Sequence, residues 1–425
     1  LNRIDTTSKT IVLKNQAGVL NMKLSGRLSN PKTRDVISLG VVSFFNDLSS
    51  EVIARVLPLY LLTVVHTSVM GIGFVEAIAD GTAVFAKLFA GLYSDRLKRR
   101  KPFVFAGYAI SVLSRPLIVV APILSVVSIS RFLDKVGKGV RTAPRDALVA
   151  DLSTENNRGF HYGITRSLDT LGAVLGLAVV AIVLTYTPAT VLPGVVLRQI
   201  LLWASVVGIF ALIVLWLGVS EAPMQAAQNV KKQLSFSFDG IDSRLRFYLF
   251  IAFIFALASS SDAFIIVRAK EFGLSLRDIF LVLSGFNIIS AVSAYYLSDL
   301  SDRLGRKMLL ASGWFIYAIS YGIFGMASLT LSQFIIAACC YGLFYGLTDG
   351  VEKAMVADFE GEQNKGKAFG LLGFVNGVGI IPANLIFGYF YKSSGFQVSF
   401  WFSGGLALIG AVLLLTLKVK KQNNA

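Results

Sequence analysis

Ser94-Asp95-Arg96-Leu97-Lys98-Arg99-Arg100-Lys101 returns 207 residues later as Ser301-Asp302-Arg303-Leu304-Gly305-Arg306-Lys307, and both copies lie between long apolar runs. The same offset carries Ala147-Leu148-Val149-Ala150-Asp151 onto Ala354-Met355-Val356-Ala357-Asp358. It also carries Arg158-Gly159, Gly163 and Gly172 onto Lys365-Gly366, Gly370 and Gly379. A shift that holds from a loop through the apolar segments after it marks an internal repeat. The chain therefore reads as two related halves laid end to end.

Composition says what medium those halves occupy. Hydrophobic residues make up 55% of the 425 and charged residues 15%, with a mean hydropathy of +0.68, which is far more apolar than a water-soluble chain of this length needs to be. The net charge of +15 would suit a nucleic-acid binder, but such a protein would not also carry repeated runs long enough to span a bilayer. No nucleic-acid partner is expected. Cys339 and Cys340 are neighbours in an apolar run and read as buried thiols, not as a disulfide framework. His66 and His161 have no second ligand at metal spacing, so no metal is expected. Gly137-Lys138-Gly139 lacks the further glycines and the following Ser/Thr of a phosphate-binding loop. With no nucleotide-binding domain and no nucleophile paired with a base, neither a cofactor nor an enzymatic reaction is indicated.

Runs of about 20 mainly apolar residues fall near 36–62, 68–93, 102–123, 126–150, 159–185, 195–219, 245–268, 276–299, 308–328, 331–357, 367–390 and 397–418. The expected fold is an all-α membrane protein of twelve transmembrane helices in two six-helix pseudo-symmetric halves around a central cavity. The fourth and tenth runs are the least apolar, and it is the repeat that places them. The expected division is a basic tail (1–35), a first bundle (36–219), a polar linker (220–243), a second bundle (244–419) and a short tail (420–425). Residues 1–34 are polar and basic, without the apolar core of a signal peptide. Lys and Arg gather in both tails, in the linker and in the loop at 96–101, while the other side holds chiefly Arg198, Arg268, Lys270, Arg277 and Lys392. The excess of positive charge on one side places both termini and the linker in the cytoplasm of a plasma (inner) membrane.

The repeated basic loop resembles the signature of the major facilitator superfamily, Gly-x-x-x-Asp-Arg-x-Gly-Arg-Arg, and the similarity covers about 36–418. Gly91, Asp95, Arg96, Arg99 and Arg100 match it, with Lys98 in place of the second Gly. Asp302, Arg303, Gly305 and Arg306 match in the second half, where Ser298 stands for the first Gly. The resemblance implies a secondary transporter in which these residues act as a gate. Asp95 would approach a helix end of the other half, where a helix dipole favours a carboxylate, and Arg96 would pair with Asp151. Such contacts exist while one side is closed and break when it opens. Two further motifs are partial. Lys135 occupies the position four residues after Arg131 where the family has Gly, and Gly172-x-x-x-Gly176 is followed by Leu177 in place of the Pro common in antiporters. Small residues at that spacing let helices pack closely.

Ionisable residues within the apolar runs name the candidate site. Asp47, Glu51 and Arg55 stack on one face of the first helix, with Glu76 and Asp80 on the second, Arg115 on the third, and Arg131, Asp134, Lys135, Lys138 and Arg141 on the fourth. The second half offers Asp262, Asn287, Tyr345 and Asp349, and the run Ser259-Ser260-Ser261-Asp262 looks like the counterpart of Leu48-Ser49-Ser50-Glu51. A lipid-facing charge costs about 2.5–3.5 kcal/mol even on lenient scales, so these groups face protein or water. One outcome is mutual salt bridging that only holds the bundle together. The other is a proton and substrate pathway, with Glu51 or Asp47 taking the proton and Lys138 and Arg141 meeting it or an anionic group. The expected activity is proton-coupled transport of a small polar or anionic solute by alternating access, by a monomer in the lipid bilayer. Multidrug or metabolite efflux by antiport, and organic-anion or iron-chelate (siderophore) transport, are the competing readings. A membrane sensor that no longer moves solute is the remote one.

Overall fold

The computed structural model describes the backbone of residues 31–97, 99–154, 157–188, 190–221, 241–359 and 365–417. Within it, all side chains are described except those at 88, 89, 91–97, 158, 295–304, 349, 365 and 366. The described residues form fourteen helical segments and no strand. In the first half these are α1 (Pro31–Thr63), α2 (Val69–Leu97), α3 (Lys101–Ser114), α4 (Leu117–Val120), α5 (Leu124–Asp151), α6 (Arg158–Tyr186) and α7 (Pro193–Gly218). In the second they are α8 (Ser243–Ala258), α9 (Ala263–Glu271), α10 (Leu276–Leu304), α11 (Arg306–Phe324), α12 (Leu331–Phe359), α13 (Lys365–Ser393) and α14 (Phe396–Thr416).

Segments α3 and α4 form one interrupted span, as do α8 and α9, so the fourteen make twelve spans. Eleven of these are long and apolar enough to cross a bilayer. The exception is α5, whose run of charges breaks its apolarity; the tenth span, expected to be equally inconspicuous, passes on its own composition. The third and seventh spans, read as continuous, are both broken. Pro116 has no N–H to donate and ends α3 at Ser114, whose carbonyl accepts from the Ser130 hydroxyl at 2.6 Å. In the seventh span the Ser259-Ser260-Ser261 run interrupts the ladder. Polar side chains of neighbouring helices then take up the freed groups: Tyr317 donates to the Ala258 carbonyl at 2.8 Å and the Ser261 N–H donates to Asn384 Oδ1 at 2.7 Å.

The halves repeat each other in packing as well as in sequence. In the first, α1 packs on α6 and α7, and α5 on α2 and α3; in the second, α8 packs on α13 and α14, and α12 on α10 and α11. The halves meet where α2 runs along α13, α6 against α10, and α1 against α9. Gly172 and Gly176 let α6 lie directly on α1, since a Cβ at Gly172 would stand 2.3 Å from the Phe44 carbonyl oxygen. Cys339 and Cys340 are free thiols, but neither is buried as expected: Cys339 is exposed and Cys340 half-buried. Of the expected linker only 220, 221 and 241–243 are described; Glu221 accepts the N–H groups of Arg100 at 2.7 Å and Lys101 at 3.1 Å, placing a carboxylate on the N-terminus of α3.

Candidate functional site

The site begins with why a span as charged as α5 can sit inside a bundle. Gly137 approaches α3 so closely that a Cβ on it would lie 2.4 Å from the Gly107 carbonyl oxygen, and Gly139 does the same against α2. Long cationic side chains of α5 thereby reach carboxylates on α2, and one reaches a carboxylate on α6. Arg115, 1% exposed, donates from Nη2 to Asn46 Oδ1 at 2.9 Å, from Nη1 to Ser49 Oγ at 2.7 Å and from Nε to Asp134 Oδ1 at 3.2 Å. Arg131 lies between Glu76 at 3.6 Å and Asp134 at 3.5 Å. Lys135 reaches Asp80 at 2.8 Å, and Arg145 donates to Ser43 Oγ at 2.7 Å and pairs with Asp169 at 3.4 Å. Arg141 donates to Ser111 Oγ at 2.9 Å with its guanidinium 4.5 Å from the Tyr108 ring centre. These pairs satisfy charges that would otherwise be costly at this depth.

A second group joins the halves. Arg55 pairs with Asp262, and its Nε lies 3.7 Å from Glu51. Asp262 also accepts the hydroxyls of Tyr341 at 2.5 Å and Tyr345 at 3.2 Å, while Ser261 Oγ donates to Glu76 at 3.2 Å. The contact corrects one expectation: under the 207-residue offset the counterpart of Asp262 is Arg55, the residue it touches, not Glu51. The sequence comparison of Leu48–Glu51 with Ser259–Asp262 aligned similar letters but was one helical turn out of register. All these ties lie toward the α1–α2 turn, at the end of the bundle away from the basic loops.

Between the halves lies a cavity of about 400 Å³ lined by Glu51, Arg55, Glu76, Asp80, Arg131, Lys135, Ser259 to Asp262 and Tyr345. An adjoining chamber of about 420 Å³ shares Ser259, Tyr345, Asn376 and Ile380 and is walled by Phe255, Trp314 and Phe344. Asp47 accepts from the Asn46 amide at 2.9 Å on the same helix. Lys138 differs from the other cations of α5: its ammonium makes no hydrogen bond or ion pair among the described residues and the residue is exposed, so mutual salt bridging stops here. Asn287 does not join the cavity, because its amide turns back to the Leu283 carbonyl at 2.8 Å. The side chain of Asp349 lies outside those described.

At the basic end, the side chains of Gly91, Asp95, Arg96, Asp302 and Arg303 also lie outside the described ones. Asp151 pairs with Arg100 at 3.5 Å, and the expected Arg96–Asp151 contact falls outside the described side chains. Arg306 pairs with Asp358, the repeat of Asp151, and donates to the Ala354 carbonyl at 2.8 Å, while Gly305 supplies the φ of 87° that starts α11. Arg99, at the position equivalent to Arg306, is exposed. Sequence reasoning gave too little weight to Tyr341, Ser261 and Asn384; the polar serine run inside an apolar span was the available sign.

The sequence model described as Major Facilitator Superfamily matches residues 39–265 and 247–425. The chain belongs to the major facilitator superfamily. An uncharacterised transporter of this superfamily from Methanocaldococcus jannaschii is 31% identical over 407 residues, covering 93% of this chain and 98% of that one. The quinolone resistance protein NorA of Staphylococcus aureus is 22% identical over 151 residues, 36% of this chain and 38% of NorA. In architecture the chain is similar to the nucleoside transporter NupG, with a TM-score of 0.75 at 13% identity over 92% of this chain and all of NupG. At that identity the likeness is one of fold. A member of this superfamily is an integral, multi-pass membrane transporter, not an enzyme.

Proposed function

We propose that the protein moves a small polar or anionic solute by proton-coupled alternating access across the inner membrane, as a monomer with both termini cytoplasmic. The observation that carries this reading is the Arg55–Asp262 pair, which joins the two halves beside a cavity lined by ionisable groups. While Asp262 is ionised it holds Arg55 and ties α1 to the seventh span at the external end. A proton on Asp262 removes the attraction, and Arg55 turns to Glu51, one helical turn away on its own helix. A contact that differs between two states is what a proton needs in order to bias them. Glu51 and Asp47 are the other candidate carriers beside the same cation row. At the cytoplasmic end the basic loops, with Asp95, Arg96 and Asp302, Arg303, form the opposing gate, and the Arg100–Asp151 and Arg306–Asp358 pairs brace its two sides.

The test is flux into proteoliposomes of the full chain under an imposed pH gradient, screened over anionic, neutral and cationic solutes. Asp262→Asn is expected to abolish the response to the gradient while solute exchange at equal pH continues. Full gradient response in both Asp262→Asn and Glu51→Gln would sink the assignment of the proton to this pair.

A further inference from the structure

The cavity's two walls are unlike, and the difference speaks to what it holds. On the first-half side, Arg131 and Lys135 line the cavity and, like Arg115, Arg141 and Arg145 outside its lining, are each committed to named oxygen partners. Lys138 lies one turn along α5 from Lys135, which lines the cavity. Its ammonium makes no hydrogen bond or ion pair among the described residues, and the charges of Lys135 on its own helix and of Asp47 and Glu51 on α1 act on it. Lys138 lies outside the cavity lining itself, exposed one turn beyond Lys135 on the helix that supplies Arg131 and Lys135 to that lining, and its ammonium is the one in this row without a partner among the described residues.

The second-half side is aromatic. Phe255 stacks on Trp314 with ring centres 4.3 Å apart and 4° between planes, and Phe344 and Tyr345 continue the wall. Glu352, in the same wall, accepts the Tyr248 hydroxyl at 3.3 Å. A chamber of about 420 Å³ with flat aromatic sides is of the size that encloses a small organic molecule. Flat rings gain from such walls by stacking as well as by leaving water.

We infer that the cavity takes organic anions with a planar apolar body, the body in the aromatic chamber and the anionic group at Lys138. This rests on the reading that the central cavity carries the solute, and adds the class of solute. The test titrates the purified full chain in detergent with 2-naphthoate, 2-naphthamide, 2-naphthylmethylammonium and succinate, following heat of binding and thermal unfolding. Naphthoate is expected to bind about tenfold or more tightly than the amide, since hydrogen bonds to a charged partner are the stronger kind. It is also expected to outbind succinate, which lacks the ring. Lys138→Gln brings naphthoate down to the amide, and Lys138→Arg keeps the preference. Naphthoate binding no tighter than the amide, equal binding of the amine or succinate, or an anion preference that survives Lys138→Gln would overturn the inference. Should Lys138→Gln fail to fold, the ligand series on the unaltered chain still decides. Proton-driven flux of a cation or of a small polar anion would leave proton-coupled transport standing and remove the aromatic class. Tight, Lys138-dependent naphthoate binding with flux indifferent to a pH gradient would do the reverse.

Discussion

At the scale of single residues, the buried charges are held by their partners, and removing one member leaves the other stranded. Lys135→Met strands Asp80, which it meets at 2.8 Å. The expected loss is about 3 kcal/mol, the lower part of the range for broken buried pairs because the cavity admits water. Lys135→Met with Asp80→Leu should recover most of it, and thermal unfolding of the two variants in detergent checks the order. The charges themselves were legible from sequence, because an ionisable residue in an apolar run is conspicuous. Their partners were not. The pairing of Arg55 with Asp262 depends on how two helices from different halves lean together, and the idle Lys138 is visible only once its neighbours have been assigned.

At the scale of helices, glycines set how near the charged span can come. Gly137→Ala would push a methyl into the Gly107 carbonyl, and overpacking of this kind costs about 1–3 kcal/mol. Gly163→Ala meets nothing within 4 Å and should be neutral or slightly stabilising, so the pair of variants separates a packing role from a general intolerance of substitution. Comparing their unfolding midpoints in one detergent is enough. Helix positions came through well from apolar run length and the repeat, even for α5. The two interruptions did not, although Arg115-Pro116 and the serine run were in plain view. A broken span needs neighbours such as Asn384 and Tyr317 to satisfy its free backbone groups, and those neighbours are far away in sequence.

At the scale of the whole molecule, the orientation proposed from Lys and Arg can be read directly. With Cys339 and Cys340 changed to serine, Ser68→Cys should react with a membrane-impermeant maleimide on intact cells, and Arg99→Cys only after permeabilisation. The reverse pattern would invert the topology. The two-half architecture was readable because the repeat preserved letters at a constant spacing. The division of labour between halves, ionic on one side of the cavity and aromatic on the other, could not be read so easily, because it lies in where the repeat has diverged.

The Arg55–Asp262 contact, between residues 207 apart, bears on ancestry. Equivalent positions of two copies that touch must lie beside the axis relating them, and at such a point a dimer of identical chains sets each residue against itself. Two arginines or two aspartates would repel there. Opposite charges became possible at this point only after the two copies could mutate separately. The attraction is therefore younger than the duplication, and a homodimer of the single ancestral copy would have needed another contact here.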